Sequence, residues 1–454
     1  MLLLKSGYIV KKNELNARDS KRLQDDLTVC PSLFNNNNPH IRAQETFRVY
    51  RESSSRFRIP RFYGIQKFGK PRIENIKSGI SIDLTFSGSL KSELQQPLAC
   101  KTVIDALHSI GGGILSLPTG YGKTTCALYI LSKMNVKTLI IVHKEFLMNQ
   151  WIERIQQFLP TADIGIIRQN KIQTSGKDVV IAMLQSVAMK DYPQGTFDDF
   201  GLTIIDETHH VCSKIFSKAL FNISSKFMLG LSATPERKDG LTKVLHWFLG
   251  PMAFQIKRKN QTGVQVNILH FNDPSFNSPP PLSTTGQVSI PAVITQLTSI
   301  EPRNVLLVDT IVSQLLKGRK IIILSERRLH CELLLQRVRD STPQFSCGLY
   351  MGGMSQQSLK DNESCDAIFA TYSLAHEGLD IPSLNTLIMA TPKTDVVQSC
   401  GRILREAGQR QHSPLIFDIV DSFATLPGQF KKRSKFYKSS GFEISNLPTE
   451  ENPE

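Results

Sequence analysis

The sequence predicts an α/β protein in which parallel sheets carry helices on their faces. In both halves of the 454-residue chain, short apolar and often β-branched runs alternate with longer amphipathic stretches. This alternation is typical of parallel strands joined by crossover helices. Two chemically distinctive segments, 117–124 and 206–207, each follow an apolar run. They are therefore expected at the carboxyl ends of strands, where open α/β sheets bind ligands.

Ten apolar runs are predicted to be buried strands. Those of the first half are Ile114–Leu117, Thr138–Val142, Val179–Met183, Leu202–Ile205 and Met228–Leu231. Those of the second half are Ile321–Leu324, Leu349–Met351, Ala367–Ala370, Leu387–Ala390 and Leu415–Ile419. The stretch Lys144–Phe158 is predicted to be a helix, because apolar residues recur on one face of it. Its Trp151 is expected in the core rather than on a surface where it could stack on a base.

The segment from Leu117 to Thr124 is predicted to bind the phosphates of a nucleotide. It reads Leu-Pro-Thr-Gly-Tyr-Gly-Lys-Thr between a strand and a helix, so backbone N–H groups and the positive helix end point at one place. Lys123 would reach the β- and γ-phosphates, and Thr124 would hold Mg²⁺. The strict pattern has glycine where this chain has Leu117. The expected cofactors are ATP and Mg²⁺, and the expected contacts are Pro118, Thr119, Gly120, Tyr121, Gly122, Lys123, Thr124 and Thr125.

Two adjacent carboxylates follow the predicted strand Leu202–Ile205. Asp206 would hold Mg²⁺, usually through water, and Glu207 would polarise the water that attacks the γ-phosphate. The alternative is an ordinary acidic loop at a strand end. The order of the two motifs, each at its expected strand end, favours the catalytic interpretation.

These motifs resemble those of superfamily-two helicases and translocases. Asp206-Glu207-Thr208-His209 is similar to their DEAH-type box, and Ser232-Ala233-Thr234 follows it. Residues 370–380 resemble their fifth motif, and residues 398–405 match the sixth, Gln-x-x-Gly-Arg-x-x-Arg. Segments 143–151 and 237–240 are similar to XPB-like and UvsW-like DNA helicases, and above all to homologues in poxviruses and other large DNA viruses. The likeness covers about residues 85 to 440.

The resemblance implies two tandem RecA-like lobes, plus a small N-terminal accessory domain. It places Arg402 and Arg405 as arginine fingers that meet the γ-phosphate when the lobes close, which is worth on the order of 10³ to 10⁵ in turnover. A solvated basic helix face is the alternative for these arginines. Further nucleotide contacts implied by the resemblance are Gln95, which would read adenine, and Gly378, Asp380 and Gln398. Contacts with a nucleic-acid backbone would come from Gln185, Ser186 and Thr371.

The expected domains are an accessory domain (1–85), an ATP-binding lobe (86–255), a linker with an insertion (256–300), a C-terminal lobe (301–440) and a tail (441–454). Residues 51–72 interleave basic and aromatic side chains. Such a mixture can grip phosphates and stack on bases, but the alternative, a small β domain whose aromatics form its core, is favoured. A second basic cluster at 431–438 is expected to be a solvated helix face or a phosphate contact.

Composition favours a polyanionic partner. Lys and Arg number 54 against 40 Asp and Glu, which gives a formal charge of +14 and a pI near 9.4. General basicity and anionic membranes are alternatives. No apolar run approaches the roughly 20 residues of a membrane span, so a soluble intracellular protein is expected, at a host-cell replication site or in the virion if it is viral. The eight cysteines contain no C-x-x-C pair, and zinc at His209, His210 and Cys212 is disfavoured.

The sequence therefore predicts an ATP-dependent DNA helicase or translocase that works with transcription or replication and repair machinery. A duplex translocase or transcript-release factor that separates no strands is one alternative. An RNA helicase is another, because contacts with the backbone alone do not distinguish the two sugars. A catalytically silent nucleic-acid clamp belongs to a different class, and the intact catalytic motifs argue against it.

Overall fold

An eight-stranded sheet and a seven-stranded sheet organise the two units of the protein, Met1–Lys257 and Arg258–Glu454. The structure is a computed structural model that describes residues 1–31, 46–208, 216–233, 239–256, 263–284, 286–379, 381–404 and 412–447. No helix in these ranges has the length and apolar character that a membrane crossing requires.

The first unit contains an accessory domain and the first lobe. Its described strands are β1 (Leu2–Leu4), β2 (Gly7–Lys11), β3 (Thr28–Val29), β4 (Phe47–Arg48), β5 (Arg51–Glu52), β6 (Arg56–Ile59), β7 (Ile73–Asn75), β8 (Gly112–Ser116), β9 (Thr138–Val142), β10 (Ile164–Arg168), β11 (Lys171–Ile172), β12 (Val179–Met183), β13 (Leu202–Ile205), β14 (Phe227–Ser232) and β15 (Met252–Gln255). Its described helices are α1 (Ala17–Asp26), α2 (Arg61–Phe68), α3 (Gln96–Ile110), α4 (Lys123–Met134), α5 (Glu145–Phe158), α6 (Leu184–Met189), α7 (Phe216–Ile223) and α8 (Thr242–Leu249).

The sheet of the first lobe has the order β11-β10-β12-β9-β13-β14-β8-β15 and is parallel except for β11. The five strands predicted in this half are confirmed, three of them residue for residue. They are buried on both faces, as parallel strands covered by helices are. Ser232 of β14 lies beside Ser116 of β8, and Ile205 of β13 lies beside Gly230. The carboxyl ends of these strands therefore meet at one edge.

The accessory domain is a small sheet with the order β5-β6-β2-β1-β7. One face of it packs against α1 and α2 to form a core of Leu3, Tyr8, Val10, Leu23, Leu27, Tyr50, Phe57, Ile59 and Tyr63. Phe57 and Tyr63 are 1% and 6% exposed. These aromatics of the segment 51–72 are thus core residues, in agreement with the small β domain considered for it.

The second unit carries the other lobe. Its described strands are β16 (Gln265–Phe271), β17 (Ile321–Ser325), β18 (Cys347–Tyr350), β19 (Ala367–Thr371), β20 (Thr386–Met389), β21 (Leu415–Asp421) and β22 (Glu443–Leu447). Its described helices are α9 (Ile290–Thr298), α10 (Glu301–Leu316), α11 (Arg328–Ser341), α12 (Gln356–Asn362), α13 (Tyr372–Gly378), α14 (Val397–Ile403) and α15 (Leu426–Ser439). The strands form one parallel sheet in the order β18-β19-β17-β20-β21-β16-β22.

The five strands predicted in this half are confirmed, but β16 and β22 were not expected. β16 and α9 lie in the segment 256–300, which was expected to be a linker and insertion, and β22 lies in the expected tail. Both strands alternate buried or half-buried side chains with more exposed ones. Their apolar signal is therefore weaker than that of the central strands, and prolines and asparagines between β16 and α9 favour a loop assignment.

The basic cluster at 431–438 divides into two parts. Arg433 is 1% exposed and forms a buried ion pair with Asp418, with Nε–Oδ2 and Nη2–Oδ1 distances of 2.8 Å each. The Tyr437 hydroxyl donates to the same carboxylate at 2.9 Å. Lys431, Lys432, Lys435 and Lys438 are exposed. The helix thus presents lysines to solvent while its one arginine fixes α15 to the sheet.

Candidate active site

The predicted phosphate loop connects β8 to α4. The Leu117 N–H donates to the Ser232 carbonyl at 3.2 Å, and the Tyr121 N–H donates to the Pro118 carbonyl at 3.2 Å. Gly120 and Gly122 have φ values of +88° and +76°, in the left-handed region that favours glycine. Gly122 precedes α4 and provides no side-chain cap. The first N–H groups of α4 therefore face the loop without a capping side chain, as an anion-binding helix end requires.

A buried glutamine braces this loop from behind. Gln96 is 3% exposed. Its Nε2 donates to the Tyr121 carbonyl at 3.0 Å, and its Oε1 accepts from the Lys91 N–H at 2.9 Å. The predicted adenine-reading residue, Gln95, is instead exposed and has a φ of +55°. The structure thus gives the contact with the loop to the residue one position later, which a shift of one in the motif spacing could have indicated.

The carboxylate of Asp206 is held from two sides. Its Oδ2 accepts from the Trp151 Nε1–H at 2.9 Å, and its Oδ1 accepts from the Glu207 N–H at 2.9 Å. Trp151 is 2% exposed, so the expectation that it lies in the core is confirmed. Sequence reasoning missed its polar role, because the indole and the carboxylate are 55 residues apart. The Lys123 Nζ donates to the Leu117 carbonyl at 3.3 Å.

Burial, and after it the negative charge of Glu207, raises the pKa of Asp206 to about 6, whereas the Trp151 hydrogen bond and the Lys123 charge oppose both effects. A buried carboxylate with a second carboxylate beside it is costly unless a cation is present. The site therefore fits a divalent cation chemically. Among the described residues, no three His, Cys, Asp or Glu side chains could hold a metal by themselves. Mg²⁺ here would need oxygens from Thr124, the nucleotide and water.

In the second unit, Arg402 lies on α14 and is 6% exposed. Its Nη1 donates to the carbonyl of Leu379 at 2.6 Å. This bond joins the sixth motif to the fifth. Gln398 is half-buried on the same helix, and Gly378 is the last residue of α13. Arg405 and Asp380 lie outside the described residues, as do Thr234, His209, His210 and Cys212.

Two family models match this chain in order. The model described as the Type III restriction enzyme, res subunit, matches residues 89–237, and that of the helicase conserved C-terminal domain matches residues 304–407. A protein of Acanthamoeba polyphaga mimivirus, named as an ATP-dependent RNA helicase, is 35% identical over 96% of this chain and 85% of its own length. This chain belongs to the superfamily-two helicases. It is of the type that large DNA viruses encode.

Two further comparisons agree. An African swine fever virus protein, also named as an ATP-dependent RNA helicase, is 29% identical over 77% of this chain and 72% of its own length. The solved structure of a variant of S. cerevisiae Dbp5, bound to RNA and ADP with beryllium fluoride, has a TM-score of 0.53 over 80% of this chain and 95% of that one, at 13% identity. The two predicted RecA-like lobes are thereby confirmed. The helicase is an ATP-using enzyme whose partner is nucleic acid.

The residues expected to touch nucleic acid in the first lobe of this helicase lie on α6. The Nε2 of the exposed Gln185 donates to the His143 carbonyl at 2.9 Å, and the Oγ of Ser186 accepts from the Gln169 N–H at 3.0 Å. The Lys190 Nζ donates to Asn170 Oδ1 at 2.5 Å. The turn between β10 and β11 therefore lies against α6, which sequence reasoning did not foresee.

In the second lobe, Thr371 ends β19 and is 9% exposed. Its Oγ1 lies 3.5 Å from the Oγ of Ser373. Thr371 therefore stands at the carboxyl end of its sheet, as Asp206 does in the first lobe.

Proposed function

We propose that this helicase hydrolyses Mg·ATP and uses the energy to move along DNA. The observation that carries the chemistry is the Asp206 carboxylate, oriented by Trp151 and Glu207 at the carboxyl end of β13, within reach of the Lys123 charge. Lys123 binds the β- and γ-phosphates, and Thr124 and Asp206 hold the metal. Bound Mg²⁺ supplies charge neutralisation for the phosphates.

Glu207 orients the attacking water in this proposal. It is the second residue after β13 and has a φ of +45°, which is uncommon for a residue with a side chain. Such backbone strain persists only where the surrounding structure enforces it, and it concentrates at active sites. This supports a placement of Glu207 by the fold rather than by its own preference.

In this proposal Arg402 and Arg405 are the arginine fingers that the resemblance implies. Burial of Arg402 and its bond to the Leu379 carbonyl would keep its guanidinium in a fixed orientation. A guanidinium has five N–H donors, which lets one side chain brace the backbone and also meet a phosphate. Gly378 and Asp380 flank Leu379 in the sequence, and Gln398 is on the same helix as Arg402. These three residues would line the nucleotide. Gln96, rather than Gln95, would position the loop beside the base.

DNA is favoured as the track by the segments 143–151 and 237–240, which are similar to XPB-like and UvsW-like DNA helicases. The formal charge of +14 fits either nucleic acid. RNA is the second candidate, because two relatives are named as RNA helicases. Movement on duplex DNA or transcript release, without strand separation, is a third.

The test compares ATPase stimulation by single-stranded DNA, duplex DNA and RNA of one sequence and length. We expect both the maximal rate and the apparent affinity to be higher with a DNA than with RNA, and Lys123→Ala to be inactive with all three. Stimulation by RNA alone would overturn DNA as the track and favour the RNA helicase. A flat rate with all three would favour a silent clamp. Strand-displacement and triplex-displacement assays on the better substrate then separate unwinding from translocation.

A further inference from the structure

One face of the accessory sheet is strongly basic. In β6, Phe57 and Ile59 turn into the core, so Arg56 and Arg58 lie on the other face. The strand register pairs Lys11 of β2 with Arg56, and Arg51 of β5 with Arg58. Paired residues on neighbouring strands lie about 5 Å apart, and alternate residues along a strand about 7 Å apart. Four cationic side chains therefore share a small area of this face.

These charges are not neutralised within the described part of the protein. Lys11, Arg56 and Arg58 form no ion pair with any described residue. Glu52 pairs with the core residue Phe57 and so lies on the other face of the sheet, where it is 2.6 Å from Lys12. Burial and, after it, the positive charge of Arg58 lower the pKa of Arg51. Like charges held this close destabilise a sheet, and a polyanion on the face would relieve the repulsion.

The basic face is linked through α7 to the helix of the first lobe that carries the candidate nucleic-acid contacts. The Arg51 Nη2 donates to the Lys218 carbonyl at 3.1 Å and to Asn222 Oδ1 at 3.2 Å, and both acceptors are on α7. Helix α7 packs in turn against α6, which carries Gln185. The path from α6 over α7 to the accessory sheet passes the exposed Lys218.

The accessory domain is fixed to the first lobe. The Arg61 Nη1 donates to the Lys226 carbonyl at 2.7 Å, Lys5 pairs with Asp198 at 3.1 Å, and the ring of Tyr63 meets that of Trp247 edge-on at 5.3 Å. Residues 1–257 form one unit. A ligand on the basic face would therefore be carried with the first lobe.

We propose that the face formed by Lys11, Arg56 and Arg58 binds the phosphate backbone of the nucleic acid that leaves the α6 surface, and so extends the track of the first lobe onto the accessory domain. The inference rests on the proposed function in taking this polymer to be the one on which the helicase moves. The aromatics of this segment that form the core, Phe57 and Tyr63, point away from the face. Phosphate contact without base stacking makes the binding independent of sequence and strongly dependent on salt.

The test is a charge reversal with a matched control. The face variant is Lys11→Glu, Arg56→Glu and Arg58→Glu. The control variant is Arg18→Glu, Lys21→Glu and Arg22→Glu, exposed positions on α1, which packs on the opposite face of the sheet through Leu23. Each variant lowers the formal charge by six, from +14 to +8. Binding of fluorescent 30-base duplex and single-stranded DNA is measured between 50 and 300 mM KCl.

We expect the face variant to bind duplex DNA roughly tenfold or more weakly than the control at low salt, with the slope of log K against log salt reduced by about 0.9 for each lost contact. Basal ATPase and thermal midpoint should be the same in both. The inference would be overturned if the two variants had equal salt slopes and equal DNA affinities while the wild type bound DNA and its ATPase was stimulated by it. The proposed function would then still stand. A wild type that DNA does not stimulate would instead contradict the function.

Two further experiments address a face variant that does not fold and a membrane as the partner. If the face variant does not fold, Lys11→Gln, Arg56→Gln and Arg58→Gln replaces it, and the same loss of slope is expected. Vesicles of phosphatidylcholine with phosphatidylserine test the other anionic surface. Loss of vesicle binding in the face variant with DNA binding unchanged would assign this face to a membrane and overturn the proposal.

Discussion

The substitution Trp151→Phe tests how the fold positions the catalytic carboxylate. It keeps an aromatic ring in the core but removes the indole N–H that lies 2.9 Å from Asp206 Oδ2. A hydrogen bond to a charged group contributes about 1.5–3 kcal/mol. Loss of a group that orients a metal ligand typically weakens metal binding by about 10- to 100-fold. The two ranges agree, because about 1.4 kcal/mol corresponds to a factor of ten.

The assay is the Mg²⁺ dependence of ATP hydrolysis at saturating ATP and DNA. We expect the half-maximal Mg²⁺ concentration of Trp151→Phe to rise by about 10- to 100-fold, with most of the rate restored at high Mg²⁺. Trp247→Phe is the matched control, because this half-buried tryptophan packs on Tyr63 and not on the carboxylates. Binding of a fluorescent ATP analogue with and without Mg²⁺ gives a second readout.

The reasoning would be refuted if Trp151→Phe lost thermal stability while its Mg²⁺ dependence matched that of wild type. The indole would then be a packing residue alone.

Three other substitutions test separate parts of the structure. Gly122→Ala places a Cβ 2.4 Å from the Gln96 Nε2 at a φ of +76°. We therefore expect this variant to bind the fluorescent ATP analogue more weakly, and we expect the additional substitution Gln96→Ala to restore part of the binding. Unchanged binding by Gly122→Ala would contradict the bracing role of Gln96. Arg433→Met leaves the Asp418 charge buried and should lower the free energy of unfolding in urea by about 3–5 kcal/mol, and a loss below about 1 kcal/mol would show that the pair is dispensable. Burial lowers the pKa of His330 to about 3, so below about pH 6.5 the unfolded chain binds a proton that the folded chain does not. The free energy of unfolding should therefore fall by about 1.4 kcal/mol per pH unit as the pH drops below about 6.5. His330→Gln should flatten this slope in urea titrations, and an equal slope in both proteins would refute the assignment.

The strands that were predicted residue for residue are those with the simplest physical signal. Thr138–Val142, Val179–Met183 and Leu202–Ile205 are continuous apolar runs because helices cover both faces of the sheet. β16 was not predicted because its apolar and polar residues alternate, and this signal is weaker beside proline-rich sequence. The catalytic motifs were readable because the residues of each motif are close together along the chain.

Contacts between distant segments could not be derived from the pattern. The bond from Trp151 to Asp206 depends on how α5 packs against β9 and β12, and an apolar helix face gives no sign of it. Arg51 and Arg61 were grouped with possible phosphate ligands, yet each donates to a backbone carbonyl of the first lobe. A basic residue in a sequence does not reveal whether its partner is a phosphate or a helix end.

The central claim is that ATP is hydrolysed where the phosphate loop meets the carboxylates at the end of β13. The most direct measurement compares ATP binding and steady-state hydrolysis, with DNA present, in wild type and Glu207→Gln. The account predicts that the variant binds ATP with an affinity close to that of wild type while its turnover falls by at least about 100-fold, the usual contribution of a group that transfers or orients a proton. Turnover in Glu207→Gln within a factor of two of wild type would contradict it.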